Sequence, residues 1–123
     1  MGSSCRLLII DDDQSVLNLL ESYLKKKNYD VVCVSNSLDG LKRIESAENG
    51  FDLIITDLVM PEISGIGLIS ILKKGHSKIP IIAITGKGEE PEKLSIEAKA
   101  DGILQKPFEL SALEKMIADI LPD

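Results

Sequence analysis

The stretch Phe51-Asp-Leu-Ile-Ile-Thr-Asp-Leu-Val-Met-Pro-Glu-Ile-Ser-Gly65 decides the fold. Its run Leu53 to Thr56 is apolar without alternation, as expected of a parallel strand buried on both faces. The run stops at a carboxylate, Asp57, and Pro and Gly then open a loop before the next helical pattern. A strand ending on a charged residue, then a loop, then a helix is the unit repeated along the chain.

Upstream, Arg6 to Ile10 is a second such run, ending in Asp11-Asp12-Asp13. Val16, Leu20 and Leu24 follow at helical spacing, with Leu17 and Tyr23 beside them, and Lys25 to Lys27 close that helix where cations complement its dipole. Val31 to Val34 reads as a strand, and Leu38, Leu41 and Ile44 mark a helix ending before Asn49-Gly50. Downstream, Ile66, Ile69 and Leu72 mark a helix with Leu68 on a neighbouring stripe. Ile81 to Ile84 is a strand running into Thr85-Gly86-Lys87-Gly88. A polar helix is expected over Pro91 to Ala100, a short strand over Ile103 to Gln105, and a final helix through Leu110, Leu113, Ile117, Ile120 and Leu121. These strand-helix units imply an α/β domain over 5–123: a parallel sheet covered on both faces and joined by right-handed crossovers. Residues 1–4 read as a flexible start or expression remnant.

Composition narrows the function. The chain has 123 residues, 44% hydrophobic and 28% charged, the balance of one globular domain. A net charge of -6 and 3% aromatics argue against direct nucleic-acid binding, which needs a basic face and stacking rings. No apolar run is long enough to span a bilayer, so a cytoplasmic protein with no membrane partner is expected. Cys5 and Cys33 make no disulfide framework and read as small core hydrophobes. The single histidine, His76, lies in a polar loop after Lys73, Lys74 and Gly75, and with no other His and no Cys near it in sequence it does not read as a metal ligand.

Ligands of such sheets bind at the carboxyl ends of the strands. Those ends carry Asp11-Asp12-Asp13, Asp57, Thr85 and Lys106. Singly, each has an ordinary reading: Asp13 before Gln14-Ser15-Val16 suits a helix N-cap, and a lysine before proline is usually solvated. Together they converge at one edge, where carboxylates raise one another's pKa unless a cation neutralises them. Asp11, Asp12 and Asp57 therefore read as a Mg2+ site, with Mn2+ as an alternative. Three carboxylates and Lys106 sum to about -2, which a divalent ion cancels, so a phosphoryl group can approach. Lys106 and the Thr85 hydroxyl would contact its oxygens while one carboxylate attacks.

Leu7 to Asp13, Phe51 to Gly65, Ile82 to Gly86 and Lys106-Pro107-Phe108 together resemble the receiver domain of two-component response regulators. The resemblance covers essentially all of the chain after Ser4, and the Asp-Leu-Val-Met-Pro segment is itself quite specific. It implies a flavodoxin-like (βα)5 three-layer fold of strand order 2-1-3-4-5, like the chemotaxis regulators. It implies Asp57 as phosphoacceptor, Asp11 and Asp12 as the metal-holding pair, and the Val59 backbone carbonyl as a further ligand. Thr85 becomes the switch hydroxyl, Lys106 the phosphoryl-contacting lysine, and Lys106-Pro107 a cis bond. A histidine kinase or phosphotransfer protein would donate the phosphoryl group. The fourth helix pattern, the fifth strand and the last helix would then bind an effector or a second copy. Such a protein is a phosphoprotein switch and not an enzyme, its chemistry being self-catalysed aspartyl phosphorylation and dephosphorylation.

The chain departs from the family pattern at Ile103, the relay position where many members carry an inward-turning aromatic. At the tuning positions Val59 and Lys87 it offers no carboxylate or amide to orient water, so slow-to-moderate dephosphorylation is expected. The competing enzyme reading is a haloacid-dehalogenase-type phosphatase, from Asp11-x-Asp13-x-Ser15-Val16, with Asp11 as nucleophile and Asp13 as acid/base. It leaves Asp57-Leu-Val-Met-Pro unexplained, and no acidic pair follows Lys106. A flavin module fails on charge, because three aspartates stand where a phosphate cradle is needed. A degenerate scaffold has no support from the residues, since the phosphorylation set is intact.

Overall fold

The computed structural model describes residues 5–46, 50–58, 65–75, 78–86 and 100–121. Five strands, β1 (Arg6–Ile10), β2 (Asp30–Val34), β3 (Leu53–Asp57), β4 (Ile81–Thr85) and β5 (Gly102–Gln105), form one parallel sheet. Its order is β2-β1-β3-β4-β5, placing β3 at the centre. The register runs Leu8 to Ile54 and Ile54 to Ile81, so the strands are nearly level at their ends. Four described helices are α1 (Gln14–Lys26), α2 (Ser37–Ser46), α3 (Gly65–Lys74) and α4 (Leu110–Ile120).

Side-chain alternation along the strands divides the core in two. Leu7, Ile9, Leu53, Ile55, Ile82 and Ile84 face one way and pack with Leu17, Leu20 and Leu24 of α1 and Leu113 and Ile117 of α4. Leu8, Ile10, Ile54, Ile81 and Ala83 face the other way and pack with Leu68, Ile69 and Leu72 of α3. This three-layer arrangement explains why the central strands β3 and β4 are buried at every position and apolar up to their carboxyl ends. Asn28 closes α1 with a φ of 72°, a left-handed conformation in which its N–H donates to the Lys25 carbonyl.

Two details differ from the sequence reading. Leu38 is 41% exposed, not part of the α2 core stripe. The inward face of α2 is instead led by buried Ser37 and Gly40, with Leu41 and Ile44 partly buried. The reason is distance: a Cβ on Gly40 would lie 2.5 Å from Ile10 Cδ1, so α2 lies too close to β1 for a leucine there. The cysteines are half-buried and free, with Cys33 packed at the edge of the α1-side core. The expected helix over 91–100 falls, apart from Ala100, outside the described residues, as does His76.

Candidate functional site

Parallel pairing brings the strand ends to one edge. Asp57 is the last residue of β3 and Thr85 the last of β4, while Asp11 follows β1 and Lys106 follows β5. Two backbone bonds fix their heights: the Asp11 N–H donates to the Val34 carbonyl at 3.2 Å, and the Lys106 N–H to the Thr85 carbonyl at 2.7 Å. The Lys106–Pro107 peptide bond is cis.

Lys106 Nζ lies 3.1 Å from Asp11 Oδ2 and 3.1 Å from Asp57 Oδ2, so one ammonium bridges two buried carboxylates. Asp11 is fully buried and Asp57 is 7% exposed. Burial raises the Asp11 pKa above its ordinary 3.8, with a smaller push from the Asp57 charge. The Asp13 N–H, Lys106 and its charge pull it back without cancelling the effect. At Lys106 burial acts downward, but its bonds to Asp11 and Asp57 and their charges win, and its pKa is raised.

Asp12 is exposed beside this pair, and carboxylate oxygens of Asp11, Asp12 and Asp57 all lie within 4.8 Å of one another. Among the described residues this is the group arranged to hold a cation. The donor set fits Mg2+: all ligands are hard oxygens, the charge is in excess, and the open Asp12 side admits water. The Thr85 hydroxyl is fully buried and has no hydrogen-bond partner among the described residues. Such a group is normally satisfied, so it is an unused donor for an incoming oxygen. Ile103 is partly buried against the α3-side core, paired across the sheet with Ala83. Val59 and Lys87 lie outside the described residues.

Asp13 caps α1 as its sequence position suggests, its Oδ1 accepting the Ser15 N–H at 2.9 Å. Three features carry no signal in the sequence. The Asp13 N–H donates to Asp11 Oδ1 at 2.9 Å. The buried Thr56 hydroxyl donates to the Asp57 carbonyl at 3.0 Å. A groove opens beside Lys106. Val16, Leu19, Leu20, Pro107, Phe108 and Leu110 line this apolar cavity of about 430 Å³. Leu19 is 54% exposed and lies off the α1 core stripe.

Residues 7–118 match the protein family described as the response regulator receiver domain. The alkaline phosphatase synthesis transcriptional regulatory protein PhoP of Bacillus subtilis is 32% identical over 117 residues, covering 94% of this chain and 48% of the relative. The chain therefore spans about half the length of the curated relatives it matches. A receiver domain structure from Clostridium thermocellum superposes with a TM-score of 0.87 at 28% identity, covering 96% of this chain and 94% of that one. The chemotaxis protein CheY4 of Vibrio cholerae superposes with a TM-score of 0.84 at 26% identity, covering 96% and 99%.

Proposed function

This chain belongs to the response regulator receiver domain family of phosphoacceptor signalling switches, and from that premise we propose that Asp57 is the residue that accepts the phosphoryl group. The observation that carries the reading is the doubly bridged Lys106, 3.1 Å from both Asp11 and Asp57 at the carboxyl edge of the sheet. The donor is a phosphohistidine of a kinase or phosphotransfer protein. Asp57 Oδ attacks phosphorus as a carboxylate; the O–P bond forms, the P–N bond breaks, and the imidazole nitrogen keeps the electron pair and takes a proton from water. Lys106, already positioned, turns one of its donors to a phosphoryl oxygen, and the idle Thr85 hydroxyl supplies a second contact.

Asp11, Asp12, Asp57 and the Val59 carbonyl would hold Mg2+, or Mn2+ in its place. When bound, the ion supplies positive charge that offsets the carboxylates and the phosphoryl oxygens. The apolar groove beside Lys106 suits the helix of a donor whose histidine must reach Asp57. The acyl phosphate biases a two-state equilibrium through Thr85 and the loops beyond β3 and β4. The signal leaves by the surface of the helix pattern over 91–100, β5 and α4, toward an effector or a second copy, in the cytoplasm. At Ile103 no ring turns inward, so that surface responds by another movement. With Val59 and Lys87 at the tuning positions, the phosphate decays slowly to moderately.

The phosphatase reading asks Asp11 to attack and Asp13 to act as acid. Asp11 is fully buried with both oxygens engaged, and the Asp13 carboxylate is committed to the α1 N-terminus. The test is incorporation of phosphate from acetyl phosphate with Mg2+, followed by intact mass. Wild type should gain one phosphoryl group, Asp57→Asn none, and Asp11→Asn a reduced amount. Full labelling of Asp57→Asn would refute the proposal.

A further inference from the structure

Three aspartates follow β1, yet only two belong to the group whose oxygens converge on Asp57. The third, Asp13, is exposed, and its carboxylate is taken up by the first turn of α1. Its Oδ1 accepts the Ser15 N–H at 2.9 Å, and its carbonyl accepts the Leu17 N–H at 3.1 Å, the first bond of α1. These two contacts hold Asp13 in extended geometry, φ -93° and ψ 108°, at the N-cap. In that geometry the Asp13 N–H donates to Asp11 Oδ1 at 2.9 Å, while Asp11 Oδ2 meets Lys106 at 3.1 Å. Both oxygens of the buried carboxylate are therefore held, one by the lysine and one by a peptide whose orientation α1 sets.

We propose that Asp13 is a positioning residue: by capping α1 with its side chain it aims its own backbone N–H at Asp11 and fixes that carboxylate for cation binding. The inference rests on the Mg2+ reading above and goes beyond it, because it assigns a role to the one of the three aspartates after β1 that is not a ligand. The chemistry is that of an outer partner that orients a ligand without touching the ion. What matters is the acceptor oxygen and not the charge. Asn, which caps as well as Asp, should therefore replace Asp13, whereas Gly, a tolerated cap residue with no side-chain acceptor, should not.

α2 supplies the control. There Asn36 also caps with its side chain, its Oδ1 accepting the Asp39 N–H at 2.8 Å, and it is not among the converging carboxylates. Mg2+ affinity is measured by titration calorimetry on unphosphorylated wild type, Asp13→Gly, Asp13→Asn and Asn36→Gly, with a melting curve for each. The expected result is an affinity about tenfold lower in Asp13→Gly, near wild type in Asp13→Asn, and unchanged in Asn36→Gly despite a comparable loss of melting temperature. Should Asp13→Gly fail to fold, Asp13→Ala and Asp13→Ser take its place, with Ser predicted to bind better than Ala. Equal affinity in wild type and the variant lacking a side-chain acceptor overturns the inference alone. Equal weakening in Asp13→Asn assigns the effect to charge, and equal weakening in Asn36→Gly assigns it to general destabilisation; either overturns it. A wild type that binds no Mg2+ overturns the metal reading and the inference with it.

Discussion

At Asp11, burial and attraction pull in opposite directions, and burial prevails: the carboxyl is held above its ordinary 3.8 although an N–H and an ammonium both face it. A carboxylate whose folded pKa is raised opposes folding once ionised. Its cost is absent below the unfolded value, grows as pH rises through the interval up to the folded value, and is constant above it. Asp11→Asn removes that cost and keeps an oxygen for the Asp13 N–H. Without divalent cation at pH 7, the variant should melt higher than wild type, by ~4 °C for each kcal/mol relieved. The gap should close as the pH is lowered toward 4. Melting curves across that range test this, and a lower melting temperature for Asp11→Asn at pH 7 would contradict it. The choice of residues for the site was legible because charges stood where apolar runs stopped. The Asp13 N–H was not, because a backbone donor has no letter in the sequence and its direction depends on the dihedrals of a cap.

Two elements are fixed by glycines that do different work. A methyl on Gly40 would meet Ile10 Cδ1 at 2.5 Å and Cγ1 at 3.1 Å, and Ile10 is fully buried between β1 and α2. Gly40→Ala gains about 1 kcal/mol of helix propensity but overpacks this contact, which costs about 1–3 kcal/mol. A methyl on Gly102 would meet Met116 Sδ at 2.8 Å, in a flexible and only partly buried side chain that can turn aside. Denaturant unfolding should therefore find Gly40→Ala less stable than wild type and Gly102→Ala the milder of the two; the reverse order would show that α4 and not α2 has the tighter seat. The strands were readable to within a residue, since burial on both faces leaves an unbroken apolar run. Helix faces were less readable. Leu38 has the right letter and spacing yet is exposed, because α2's distance from β1 is set by Gly40, and Leu19 becomes a groove wall only once Pro107 and Phe108 are placed opposite it.

For the molecule as a whole, fold and site draw on separate resources. Two apolar clusters, one on each face of the sheet, hold the strands together, while Asp11, Asp57 and Lys106 meet at its carboxyl edge. No described helix is long and apolar enough to cross a membrane. Removing divalent cation with a chelator should therefore stop labelling by acetyl phosphate while leaving the circular dichroism spectrum unchanged. Adding Mg2+ back should raise the melting temperature, with a gain of about 2.7 kcal/mol at a hundredfold excess over Kd. Loss of helical signal on chelation would mean the ion is structural. The strand order inferred from resemblance, 2-1-3-4-5, is the order observed, and it is what sets β3 and Asp57 between β1 and β4. The most direct test of the account asks where the phosphorus goes. Wild type is labelled with acetyl phosphate and Mg2+, the acyl phosphate is reduced with borohydride, and the resulting homoserine is located by peptide mapping. Homoserine is expected at position 57 alone; homoserine at position 11, with Asp57 intact, would contradict phosphoryl transfer to Asp57.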